Sequence, residues 1–272
     1  MKNIRLLSVL LLGMILLFSA CKKDDVQETD PPVIKKINYL KKYIHDDTQY
    51  DFEYDAYNKI TKFEVVEVGS TVKINVEFNY SGSRLLSWVA YSAGDIVLKA
   101  SFSNFTVNSK PQKGEIFTNI GGTLTLAQIL AYSYTDGKLT QVVSSEVDAG
   151  QATVDYKNEY TYEGKNVITQ KTYKSYYGSL VHNTTIKFTF DDKHNPGINF
   201  GFINFADEEV FQGMSVMDMN NYTIIQVDDA DGNLQQSDSY NRAFEYNDDD
   251  YPTKCTMTDF NGNKVIDIIY EY

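Results

Sequence analysis

From Val72 to Tyr80 the chain alternates strictly. Val72, Ile74, Val76, Phe78 and Tyr80 fall on one face, and Lys73, Asn75, Glu77 and Asn79 on the other. A period of two marks a half-buried strand, because a helix would scatter these side chains around its axis. The same parity returns in seven aromatic-x-aromatic pairs: Phe52/Tyr54, Phe78/Tyr80, Tyr132/Tyr134, Tyr160/Tyr162, Phe188/Phe190, Phe244/Tyr246 and Tyr270/Tyr272. The residue between the aromatics is polar in every copy. Turn-forming stretches follow the pairs (DAYN, SGS, TDG, EGKN, DDKHNPG, NDDDYP), rich in Asp, Asn, Gly, Ser and Pro. A base and an aliphatic residue then open a return strand at Lys59-Ile60, Arg84-Leu85 and Lys138-Leu139. Each unit reads as a hairpin.

Successive first aromatics are 26, 54, 28, 28, 56 and 26 residues apart. The two long gaps are twice the short ones, so a period near 27 covers the array, with two slots whose signature has decayed. Eight or nine such slots give about 16 strands in an antiparallel up-and-down meander. The expected fold is therefore all-β, a curled sheet or a barrel. The aromatic pair is the last inward-facing part of the outgoing strand. Tyrosine suits its outer position, where the hydroxyl can reach water or turn backbone at the rim.

The first twenty residues stand apart. MKNIR is a short basic start, Leu6 to Phe18 an apolar run of 13 residues, and SA precedes Cys21. That run is too short to cross a bilayer as a helix and reads as a signal peptide. FSAC resembles the lipobox of bacterial lipoproteins, with Phe18 where Leu is usual. The resemblance implies lipid attachment at Cys21, removal of residues 1–20 and a membrane contact through that lipid. Residues 21–35 then form a polar tether, and residues 36–272 the hairpin domain. CKKDD after the cleavage point resembles the export signal of Bacteroidetes lipoproteins displayed on the cell surface, which implies an outer-membrane protein facing the exterior.

Composition narrows the function classes. The chain has 272 residues and 37 aromatics, enough apolar surface for a real core. Removal of Lys2 and Arg5 with the leader leaves 23 basic against 37 acidic residues, a net charge of −14. Nucleic acid needs clustered Lys and Arg on its partner and is not expected here. With Cys21 acylated, Cys255 is the one remaining thiol, so no intramolecular disulfide can form.

The pattern at Tyr54-Asp55 through Lys59-Ile60-Thr61 resembles the tyrosine-aspartate (RHS-like) repeats of bacterial surface proteins. Together with the lipobox and CKKDD, it makes the chain resemble Bacteroidetes lipoproteins of unknown function that carry degenerate copies of such repeats and a porin-like β fold. The resemblance covers about residues 36–272 and implies no catalytic residues.

Candidate chemistry is sparse. His45, His182 and His194 are the three histidines, two of them beside acidic turn residues, and neither HExxH nor CxxC occurs. VDDADGNLQQSD, residues 227–238, has Asp229, Asp231 and Gly232 at calcium-loop spacing. Val227 holds the first ligand position and Asp238 replaces the last glutamate, so an ordinary hairpin turn is the better reading. Neither GxSxG nor a glycine-rich phosphate loop is present. No enzyme, metal site or cofactor is expected.

Two irregular stretches remain, about residues 92–130 and 195–222. The second is rich in Phe, Gly and Met and reads either as a plug of the core or as a binding patch. Phe202, Phe205 and Phe211, with Phe200 and Met214 beside them, are its candidate ligand contacts, and Trp88 is a further one. A binding module for a glycan or protein ligand is the leading expectation, ahead of a structural or shell-like role. An outer-membrane pore also matches about 16 alternating strands ending in an aromatic residue. Tyr hydroxyls on the apolar face and lipidation favour a soluble barrel or curled sheet instead.

Overall fold

The computed structural model describes residues 37–197 and 218–272. Over these the strands are β1 (Lys42–His45), β2 (Thr48–Tyr54), β3 (Ile60–Glu67), β4 (Lys73–Ser81), β5 (Arg84–Ser92) and β6 (Asp95–Ser103). They continue as β7 (Lys113–Ile120), β8 (Thr123–Thr135), β9 (Lys138–Asp148), β10 (Gln151–Glu163) and β11 (Asn166–Tyr176). The last five are β12 (Ser179–Phe190), β13 (Tyr222–Asp229), β14 (Tyr240–Tyr246), β15 (Pro252–Asp259) and β16 (Lys264–Glu271). Every strand pairs antiparallel with its neighbours in sequence, and β1 pairs with β16. The meander is a closed 16-stranded barrel, not an open curled sheet.

Strands of even number all run the same way, so their aromatic pairs gather at one end of the barrel, the aromatic end. The other end is the distal end. Alternation decides which side chains go inward. Tyr43, Phe63, Trp88, Tyr132, Tyr160 and Ile268 belong to one buried cluster. Ring contacts run across strands from Phe52 to Phe63 (6.1 Å) and from Phe63 to Phe78 (5.8 Å). Outward positions mix polar residues with apolar ones such as Val66, Val89, Val143 and Ile269. Several are ion-paired: Lys73 with Glu64 (2.6 Å), Lys157 with Glu159 (2.8 Å), Lys187 with Asp228 (2.6 Å) and Lys264 with Asp267 (2.7 Å).

The recurring residues turn out to link each hairpin to the next. The outer tyrosine of a pair donates its hydroxyl to a backbone carbonyl of the preceding unit: Tyr134 to Pro111 (2.7 Å), Tyr162 to Leu139 (2.8 Å) and Tyr272 to Pro252 (3.0 Å). The base opening the return strand reaches the other way. Lys59, Lys110 and Lys138 donate to the turn carbonyls of Gly82, Gly137 and Gly164. Their ammonium groups also stand 5.6, 5.7 and 5.2 Å from the ring centroids of Tyr80, Tyr134 and Tyr162. The aspartate after the pair organises the turn itself: Asp55 Oδ1 accepts from the N–H groups of Tyr57 and Lys59. Such a side-chain turn substitutes for part of a backbone turn.

The two decayed slots differ in kind. In the first, β6 and β7 form a regular unit. Thr106 takes the aspartate's place, accepting from the N–H of Lys110, and Arg84 stacks over Phe105 at 5.4 Å. Phe105-Thr106 through Lys110-Pro111 is thus an eighth copy of the motif. In the second, the expectation of another hairpin slot is corrected. β12 pairs directly with β13, so the doubled spacing comes from a long connection, residues 191–221, and not from a lost repeat.

Candidate functional site

The sequence candidates scatter. Trp88 is 3% exposed, inside the barrel against the core, so its ring is not a surface platform. Phe200, Phe202, Phe205, Phe211 and Met214 lie outside the described residues, as does Cys21. His45 stacks on Tyr43 at 6.1 Å, and burial pulls its pKa down. His182 places Nε2 by Thr184 O and Thr185 Oγ1, and the His194 ring lies 4.8 Å from that of Tyr251. No catalytic grouping unites them. Among the described residues, no three His, Cys, Asp or Glu side chains stand together as metal ligands.

The calcium-like loop is a turn. Asp229 Oδ1 accepts from the N–H groups of Asp231 and Asn233, and Asn233 and Gln235 donate side-chain amides to the same carboxylate. Those bonds, Asn233's above all, hold the Asp229 pKa below its ordinary value. Its oxygens serve the hairpin.

One buried cation lies inside the wall. Arg242 places its guanidinium 4.5 Å from the Tyr222 ring centroid and 5.0 Å from that of Phe244, and it approaches the Tyr270 hydroxyl at 3.4 Å. Burial pushes the pKa values of Tyr43, Tyr222 and Tyr270 upward, and that of the Cys255 thiol likewise. These groups are therefore neutral near pH 7. Cys255 has none of the thiolate character that a nucleophile needs.

The two stems of the long connection are held in place by side-chain amides and carboxylates at the aromatic end. Asp218 Oδ1 accepts from the N–H of Val167, and Asn195 donates to Asp218 O. Asn166 Oδ1 accepts from the N–H groups of Met219 and Asn220. Asp191 accepts from Asn221 and from the Tyr246 hydroxyl. Asn166 of EGKN and Asn195 of DDKHNPG, both in stretches read from sequence as turns, fix with Asn221 where the connection leaves and re-enters the wall.

The distal end has a different character. β8 to β12 have 11 to 13 residues, against four to nine in the other strands. Because the even strands all stop just after their aromatic pairs, the excess projects distally, by about 13 Å for four residues. Exposed large apolar side chains collect here, including Val68, Ile120, Val154, Tyr176, Tyr177 and Leu180. At the aromatic end Ile37, Tyr57, Val107 and Met219 are comparable. The β11–β12 turn has a tyrosine where the like turns at Ala93-Gly94 and Ala149-Gly150 have alanine. Tyr177 and Gly178 have φ of 49° and 80°, the two-residue turn that matches strand twist and normally begins with Asn, Asp or Gly. A tyrosine in that left-handed conformation costs about 1 kcal/mol, and this one is fully exposed, at 108%.

Charge is also uneven. The distal connections and the strand residues flanking them contain nine carboxylates, from Asp46 and Asp47 to Asp259, against Lys73 and Lys264. The aromatic end mixes both signs.

No family model matches the chain, and no curated protein matches it in sequence. Solved structures do match. A porin-like protein from Bacteroides vulgatus superposes with a TM-score of 0.58 at 12% identity, covering 86% of this chain and 99% of that one. A porin-like protein from Bacteroides uniformis gives 0.54 at 10% identity, covering 87% and 98%. At such identities the likeness shows a shared porin-like barrel fold.

Proposed function

We propose that this protein is a lipid-anchored lipoprotein of the outer membrane, facing the cell exterior, whose barrel is a water-exposed binding module and neither a pore nor an enzyme. The polarity of the wall carries this reading. A barrel set in hydrocarbon turns an apolar band outward, and a Lys or Arg on that face near the midplane costs about 2–4 kcal/mol. Here the outward face includes paired charges such as Lys73–Glu64 and Lys157–Glu159 among its apolar residues, and the rings of the aromatic pairs point inward. The cluster of the protein's own buried rings on the inner face also does not favour a shell around another polypeptide. The anchor rests on the SAC sequence at Cys21. The described chain begins at the aromatic end, where Asn38 donates to Asp249.

Two measurements test this. The chain from residue 22 onward, which contains the whole barrel, should stay monodisperse without detergent and give no conductance in planar bilayers. Cys21→Ala should lose labelling by a fatty-acid analogue and leave the membrane pellet. A detergent requirement or discrete channels would return the pore, and labelling that survives in Cys21→Ala would remove the anchor.

A further inference from the structure

We infer that the distal rim is a docking surface for a cationic polypeptide whose basic residues alternate with apolar ones, with the β11–β12 tip as its apolar anchor. The inference rests on the reading of the barrel as a binding module and names the chemistry of its partner. Three observations converge. The rim gathers exposed apolar side chains on adjacent turns, where a folded protein in water gains nothing from showing them. Tyr177 keeps a left-handed backbone that asparagine or glycine would adopt without strain, and its ring is wholly in solvent, so its identity is not explained by the fold. The turns on either side of this tip carry Asp148, Asp229, Asp231 and Asp238, with Lys174 the nearest basic residue on β11, a net complement to positive charge. An anionic membrane surface is repelled by the same carboxylates, which favours a polypeptide over lipid. Tyrosine brings a large amphipathic contact at small rotamer cost, which suits such an anchor.

The chain from residue 22 onward is titrated, by fluorescence anisotropy in about 0.15 M salt, with three labelled synthetic peptides of equal length: alternating Lys-Leu, Lys-Ser and Glu-Leu. Lys-Leu should bind at least tenfold tighter than either of the others. Tyr177→Asn should raise the thermal midpoint, by relieving the backbone, and yet weaken Lys-Leu binding. Tyr177→Asn with Leu180→Ser should weaken it at least tenfold. Tyr57→Ser, an exposed site at the opposite end, should leave binding unchanged. Equal affinity for Lys-Leu and Lys-Ser, or binding indifferent to the double variant, overturns the rim as anchor. Tyr177-dependent sedimentation with phosphatidylglycerol vesicles, without Lys-Leu selectivity, overturns it in favour of lipid. Since none of these readouts involves Cys21, loss of the rim leaves the anchor standing, and loss of the anchor leaves the rim.

Discussion

Removing one hydroxyl should measure how strongly neighbouring hairpins hold each other. Tyr162 Oη donates to Leu139 O at 2.8 Å, across the junction between two units, from a half-buried position. Tyr162→Phe keeps the ring and deletes that bond. The expected loss is about 1 kcal/mol, which for a domain of this size lowers the thermal midpoint by about 2–4 °C. The facing contact is separable. Lys138 stands 5.2 Å from the same ring and donates to Gly164 O. Lys138→Met keeps the packing of the stem and should cost about 0.5–1 kcal/mol. Because phenylalanine retains the ring face, Tyr162→Phe and Lys138→Met should add to within about 0.5 kcal/mol. Tyr162→Leu with Lys138→Met should fall short of additivity, since each removes the cation–ring contact. The assay is urea and thermal unfolding by circular dichroism, with Thr161→Ala, outward on the same strand, as the near-neutral comparison. Midpoints for Tyr162→Phe and Tyr134→Phe equal to the wild type would refute the hydroxyl as the link between units.

Gly114 lies under Tyr132, and a Cβ there would stand 2.8 Å from Tyr132 Oη and 3.4 Å from Leu130 Cβ. Gly114→Ala should therefore cost about 1–3 kcal/mol in urea unfolding, partly recovered when Tyr132→Phe is added. For acid, Lys187 holds the Asp228 carboxyl below its ordinary pKa, as Lys157 does for Glu159 and Lys264 for Asp267. Carboxylates depressed in the folded state stabilise it above their unfolded pKa and lose that contribution as pH falls through the folded value. The urea midpoint should hold down to about pH 5 and decline below about pH 4. Lys187→Met should make that decline shallower, and an unchanged slope would show that the pair does not act.

Much of the fold was legible because the aromatic pairs obey two constraints at once, strand parity and a fixed hairpin length. Seven of the eight even strands announce themselves this way. The eighth, β6, escaped because Ser103 stands where the first aromatic belongs, and Asn104, with φ of 54°, bends the chain before Phe105. The gap from Phe188 to Phe244 misled for the opposite reason. Its 56 residues equal two periods by coincidence of one ordinary unit and one long connection. Trp88 could have been placed inward from its parity with Leu85 and Ala90 only by allowing for the irregularity at Leu85, where the register shifts opposite Tyr80. The distal rim was not legible at all. Nothing in the repeat pattern singles out Tyr176 and Tyr177, and that they stand exposed on the same end as Ile120 and Val154 needs the strand boundaries of β7 to β12.

Closure carries a consequence for biosynthesis. The seam joins Lys42–His45 to Glu271–Ile268, so the first strand meets its partner only when the last one exists, about 230 residues later. Until then both β1 and the growing end present open edges, which invite pairing with other chains. A chain of this topology closes only after its last strand has been made, and loss of the eight residues of β16 would leave two permanently sticky edges where the closed barrel has none.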